Sequence, residues 1–83
     1  MPTERRIRVL FFAVLREQSG RGEEWRTTTA STPAMLYDEL RATYAFTLAR
    51  EYLRVAIDDR FVAWDAPLIG GETVVYIPPV AGG

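Results

Sequence analysis

The chain has 83 residues, 48% hydrophobic and 25% charged, with a formal net charge of −1; this is the make-up of one small globular domain, and so weak a charge excludes the basic footprint of nucleic-acid binding. It contains no Cys and no His, which removes the thiolate nucleophile, the imidazole base and the usual zinc and copper ligands. No apolar run approaches the roughly 20 residues that cross a bilayer and the amino-terminal MPTERRIRVLFF has no small-residue cleavage site, so the sequence reads as cytoplasmic, with no membrane partner.

In chain order, residues Ile7 to Val14 read as a strand in which Ile7, Val9 and Phe11 alternate with Arg8, Leu10 and Phe12. Ser19-Gly20-Arg21-Gly22 has the composition of a turn, and Glu24 to Thr29 gives a second, Thr-rich strand around Trp25, closing a hairpin. Thr32-Pro33 starts a helix, with a hydroxyl at the N-cap and a proline where its missing N–H is harmless. That helix runs to about Tyr44, with Leu36, Leu40 and Tyr44 on one stripe and Asp38, Glu39 and Arg41 facing away. Phe46 to Tyr52 is short enough to be a further helical turn or a loop. Leu53 to Ile57 and Phe61 to Ala63 are two short strands around the tight turn Asp58-Asp59-Arg60. A second turn carries Gly70-Gly71. Thr73 to Ile77, TVVYI, is continuously apolar and predicts a central strand covered on both faces.

Strand, strand, helix and three further strands, with the first and last strands parallel and one main helix crossing a mixed sheet of four or five strands, is the α+β β-grasp or ubiquitin-like roll. One domain spans residues 1–77, and residues 78–83 form a flexible tail. Pro78 and Pro79 hold φ near −65° and carry the chain outward. From Pro78 to Gly83 the extended reach is roughly 20 Å. Gly82 and Gly83 have no Cβ, so a narrow channel could close around the backbone and leave the Gly83 carboxylate open to attack. A frayed end is the plain alternative for the same residues. All ten basic side chains are arginine; GC-rich coding explains this, and so would the benefit of having few amines near an activated carboxyl group.

The segments RVLFFAVLRE (Arg8 to Glu17), VAIDDRFVAWDAPL (Val55 to Leu68) and GGETVVYIPPVAGG (Gly70 to Gly83) resemble the small subunit of molybdopterin synthase, the MoaD-like, ubiquitin-like sulfur carriers. The resemblance covers nearly the whole chain. Two departures fall in turns: Gly70-Gly71-Glu72 stands where the family usually has Gly-Asp-Glu, and Asp58 where it often has Asn.

The resemblance implies a mechanism and its partners. An ATP-dependent activating enzyme would adenylate the Gly83 carboxylate, with Gly82 beside it, and a sulfur donor would displace AMP to leave a thiocarboxylate. That sulfur would pass, inside the large subunit of molybdopterin synthase, to cyclic pyranopterin monophosphate during molybdenum cofactor biosynthesis. The carrier would bind no permanent cofactor, and the catalytic side chains would belong to the large subunit. The implied contact residues are Phe12, Phe61 and Ile77 on the open face of the sheet, continued by Pro78, Pro79, Val80 and Ala81 of the tail. A related carrier for thiamin, cysteine or tRNA thiolation, a ubiquitin-like protein modifier, and a plain interaction module are the other readings of the same residues.

Overall fold

The computed structural model describes residues 3–79. Val80, Ala81, Gly82 and Gly83, which carry the tail prediction, lie outside the described residues. The elements are β1 (Arg5–Phe11), α1 (Ala13–Ser19), β2 (Glu23–Thr28), α2 (Pro33–Tyr44), a 3₁₀ turn (Arg50–Tyr52), β3 (Arg54–Ile57), β4 (Arg60–Val62) and β5 (Thr73–Ile77). The strands form one mixed sheet in the order β2-β1-β5-β3-β4, with β1 and β5 parallel and the other neighbours antiparallel. This is the α+β β-grasp arrangement, with five strands. Among the described residues, no helix is long and apolar enough to cross a membrane.

The first predicted strand ends early. β1 stops at Phe11, whose N–H donates to Gly22 O at 2.9 Å, and α1 then takes residues 13–19. The Phe12 carbonyl accepts from Leu15 N–H at 3.1 Å, which starts the helix. Ala, Leu, Arg, Glu and Gln are good helix formers, and α1 places Leu15 fully in the core. Gly20 ends it with φ +77°, a left-handed position that a residue without Cβ takes readily. β1 and β2 still pair, Arg5 against Thr28 through Leu10 against Glu23. Their connection is a helix as well as a turn.

The predicted N-cap of α2 is present: Thr32 Oγ1 accepts from Met35 N–H at 3.2 Å and Pro33 follows at the first position. Leu36, Tyr37 and Leu40 are fully buried, and Tyr44 is half-buried at the end of the same stripe. Glu39 does not simply face away. It is half-buried, because its carboxylate accepts from Thr28 Oγ1 at 2.6 Å and Arg26 Nε at 3.4 Å and so ties α2 to the edge strand β2.

Ile7, Val9 and Phe11 of β1, Val55 of β3, and Val74 and Tyr76 of β5 face the helices and are at most 2% exposed. Full burial of such a side chain is worth about 1.5–3 kcal/mol, so this layer holds the fold. Tyr37 forms its aromatic centre, 5.1 Å from the Tyr76 ring and 6.0 Å from Phe46. The Tyr76 hydroxyl donates to Pro33 O at 2.8 Å, and the Tyr37 hydroxyl to Leu48 O at 2.7 Å. Both rings are therefore buried without an orphaned oxygen.

β5 is central, as expected, but it is not covered on both faces. Val74 and Tyr76 are buried, whereas Thr73, Val75 and Ile77 are only half-buried. The reason is that α1 and α2 share one side: Leu15 joins Leu36, Tyr37 and Leu40 in a single cluster. Among the described residues, no helix is left to cover the other side of the sheet.

Candidate functional site: the open sheet face at the base of the tail

Alternation along each strand sends every second residue to the uncovered face, and the register aligns those residues across the sheet. Leu10 lies beside Val75, Val75 beside Ala56, and Ala56 beside Phe61. One apolar row thus crosses four strands. The next row toward the tail contains Ile77 opposite Arg54. Phe12 follows Phe11, the partner of Tyr76, with φ −127° and ψ 154°. That extended backbone continues the pleat of β1 for one more residue, so Phe12 projects opposite to buried Phe11.

Phe12 and Phe61 are 50% and 64% exposed, values far from those of core aromatic residues. With Leu10, Ala56, Val75 and Ile77 they line a concavity of about 290 Å³, with Asp59 at its rim. Because β1 and β5 run parallel, both end on this side of the sheet. Ile77 closes β5, and half-buried Pro78 and exposed Pro79 lead directly from it. A second groove, bounded by Tyr52, Arg54, Phe61, Ile77, Pro78 and Pro79, flanks the chain where it leaves the sheet. The structure therefore brings together the predicted Phe12, Phe61, Ile77, Pro78 and Pro79.

Two turns shape the far rims. Ile57 pairs with Arg60 across Asp58 and Asp59, which both have positive φ (48° and 71°), the geometry of a type I′ hairpin turn. Asp58 N–H donates to Thr73 O, and Asp58 Oδ1 accepts from Thr73 N–H, each at 2.9 Å. An asparagine Oδ1 would accept equally well, so the Asp58 departure preserves the turn. In the other turn the Glu72 carboxylate accepts from Ile69 N–H at 2.7 Å and Gly70 N–H at 2.5 Å, while Gly71, at φ +84°, donates to Arg6 O at 2.8 Å. Glycine at position 71 suits that left-handed backbone better than the usual aspartate.

Charge on the open face is sparse beside the tail and paired farther away. Arg8 forms an ion pair with Glu23 at 2.5 Å. The Arg54 guanidinium lies 5.5 Å over the Phe61 ring and the Arg6 guanidinium 5.2 Å over Trp25. The three phenols with shifted acidity belong to the helix side. Burial pushes Tyr76 well above its ordinary value, with Tyr37, Asp38 and Glu39 adding to the effect. Burial also raises Tyr37, against the pull of Arg41. Tyr44 is raised by burial and by its hydrogen bond to Glu24. The open face thus offers an apolar contact surface with a cation at its margin, which is equipment for binding. Sequence reading passed over Ala56, Val75 and Arg54. The period-two alternation of VAI and TVV, anchored on buried Val55 and Val74, was the signal that could place them.

The sequence model of the ThiS family matches residues 9–83, which takes in the whole of this surface and the tail. The chain belongs to the ThiS family. This ThiS-family chain is 34% identical over 80 residues to the molybdopterin synthase sulfur carrier subunit of Escherichia coli (strain K12), an alignment spanning 93% of this chain and 99% of that protein. A Haloferax volcanii protein of known solution structure superposes with a TM-score of 0.82 at 25% identity, over 96% of this chain and 88% of its own. A chain in the complex of subunits 1 and 2 of the molybdopterin-converting factor from Helicobacter pylori 26695 superposes with a TM-score of 0.63 at 23% identity, over 94% of this chain and 99% of its own. That last likeness is one of fold.

Proposed function

We propose that this chain is the sulfur carrier subunit of a molybdopterin synthase. Its Gly83 carboxylate is the reactive group and Gly82 the residue that lets a channel close around it. A carboxylate is a poor electrophile, so an activating enzyme first joins it to AMP from ATP, releasing pyrophosphate. A sulfur donor then displaces AMP and leaves the thiocarboxylate. Within the large subunit, that sulfur is donated to cyclic pyranopterin monophosphate. The carrier itself holds no permanent cofactor, works in the cytoplasm and leaves acid–base catalysis to side chains of the large subunit. A chain without Cys and His is suited to that division of labour.

The observation that carries this reading is the convergence of the apolar face and the base of the tail at one end of the sheet. A partner that grips Phe12, Phe61 and Ile77 receives the tail in the same act, with Pro78, Pro79, Val80 and Ala81 entering its channel. Alignment with the Escherichia coli carrier over 99% of that protein supports the same assignment. The test is intact mass after incubation with the activating enzyme, ATP and a sulfur donor. The expected result is the gain produced by exchanging one oxygen for sulfur, abolished by deleting Gly83 while thermal unfolding stays unchanged. Absence of the gain in the wild-type chain overturns the carrier reading. Transfer from the charged chain to cyclic pyranopterin monophosphate in the presence of the large subunit then decides the acceptor.

A further inference from the structure

We infer that Arg54 is a specificity-determining contact of this face, which takes a carboxylate presented by the large subunit at the rim of the apolar patch; this inference rests on the carrier reading. The position of Arg54 is the first argument. It pairs with Ile77 on the last rung of the sheet before the tail departs, and it walls the groove that Pro78 and Pro79 enter. A contact made here fixes the direction in which the tail leaves, so its geometry matters more than that of any charge at the far rim.

The second argument is the unused bonding capacity of the side chain. Arg8, Arg21 and Arg26 engage carboxylates, and Arg5 and Arg41 donate to backbone carbonyls. Among the described residues Arg54, like Arg6, Arg16, Arg50 and Arg60, has no ion pair or side-chain hydrogen bond, and of these five it alone lines the groove at the base of the tail; Glu51, which lines the same groove, forms no ion pair with it. Its guanidinium carbon lies 5.5 Å from the centre of the Phe61 ring. Phe61 is itself 64% exposed, so the stacked pair stands on the surface.

Stacking explains why the waiting group is an arginine. A guanidinium laid on a ring is held there by cation–π attraction while its N–H donors stay at its edge, where they match the two oxygens of a carboxylate. A lysine would offer a compact, more strongly hydrated charge without that fork. The surroundings decide between anion sources. A single cation in the groove that flanks the tail, next to the apolar concavity through the shared Phe61 and Ile77, suits a protein surface, where arginine and aromatic residues are enriched together; a polyphosphate site needs several donors.

The experiment measures binding of the large subunit to the full-length carrier and its variants at low and high salt. Arg54→Ala is expected to weaken binding about tenfold, Arg54→Lys to recover only a small part of the loss, and Arg54→Glu to weaken it further. The salt dependence of binding should be shallower for Arg54→Ala than for the wild type. Phe61→Ala serves as the reference for the apolar patch. If Arg54→Ala or Arg54→Lys binds like the wild type while Phe61→Ala binds weakly, the Arg54 assignment is overturned and the carrier reading stands. If the wild-type chain itself does not bind the large subunit, both are overturned.

Discussion

The two faces of the sheet come from the same strands and differ by one residue of phase. Val55, Val74 and Tyr76 lie on the helix side and are nearly inaccessible, while their immediate neighbours Ala56, Val75 and Ile77 form the floor and margin of an open concavity. Both sets are mainly apolar. What separates them is that Leu15, Leu36, Tyr37 and Leu40 cover one set and, among the described residues, no helix covers the other. Hydrophobicity alone therefore does not say whether a strand residue belongs to the core or to an open face. The number of covering elements does.

This contrast is broken most severely from the covered side. Leu40→Ala removes a fully buried side chain and is expected to cost about 2–5 kcal/mol in urea unfolding, a large part of the 5–15 kcal/mol typical of a domain. Phe61→Asp or Phe12→Asp, on the open side, should change unfolding by only about 0.5 kcal/mol yet weaken binding of the large subunit by about 2 kcal/mol. A loss of stability equal to that of Leu40→Ala would show that the open face is core after all.

The tyrosines extend the contrast to pH. The phenols of Tyr76, Tyr37 and Tyr44 have pKa values raised above the ordinary 10.0, so above that pH the unfolded chain loses protons that the folded chain keeps. Their contribution is complete below about pH 10 and declines as pH rises through the higher folded values. Thermal midpoints should be level from neutral pH to about 9 and fall beyond about 10, less steeply for Tyr76→Phe. A midpoint that does not fall would contradict the burial of these phenols. The smallest effects belong to the turns: Gly71→Asp is expected to cost about 1 kcal/mol through its positive φ, and Asp59→Gly to gain about 0.5 kcal/mol in the hairpin turn. Gly71→Asp should leave partner binding unaltered, since Gly71 lies outside the apolar concavity.

Much of the fold was legible because its signals are local. Thr32-Pro33 marks the start of α2, Asp58-Asp59-Arg60 marks a tight turn, although Arg60 itself pairs with Ile57 in β4, and Ile7, Val9 and Phe11 announce the buried side of β1. Helix α1 escaped because its opening Ala13-Val14-Leu15 prolongs the apolar run of the strand before it, and seven residues with one fully buried side chain show no measurable period. Gly20 was the available sign of its end. The exposure of Val75 was hidden for a different reason: a continuous apolar run looks the same whether one or both faces are covered, and coverage depends on where α1 and α2 pack. In the site, Phe12 could be placed by counting from Phe11. Its meeting with Phe61 required the parallel pairing of β1 with β5, which joins residues far apart in sequence. Glu39 was misread because its partners Thr28 and Arg26 lie on another element, which no helical wheel displays.

The central place of β5 ties chain integrity to the presence of the tail. Among the described residues, 73–77 are the sole ladder between the β1–β2 pair and the β3–β4 pair, and a two-stranded piece alone is marginal in water. A polypeptide broken off before residue 77 loses the joint of its sheet together with the glycines that follow. Damaged copies of this kind would thus fail to fold and lack the glycines at once, so a chain that carries the glycines also carries the joint of its sheet.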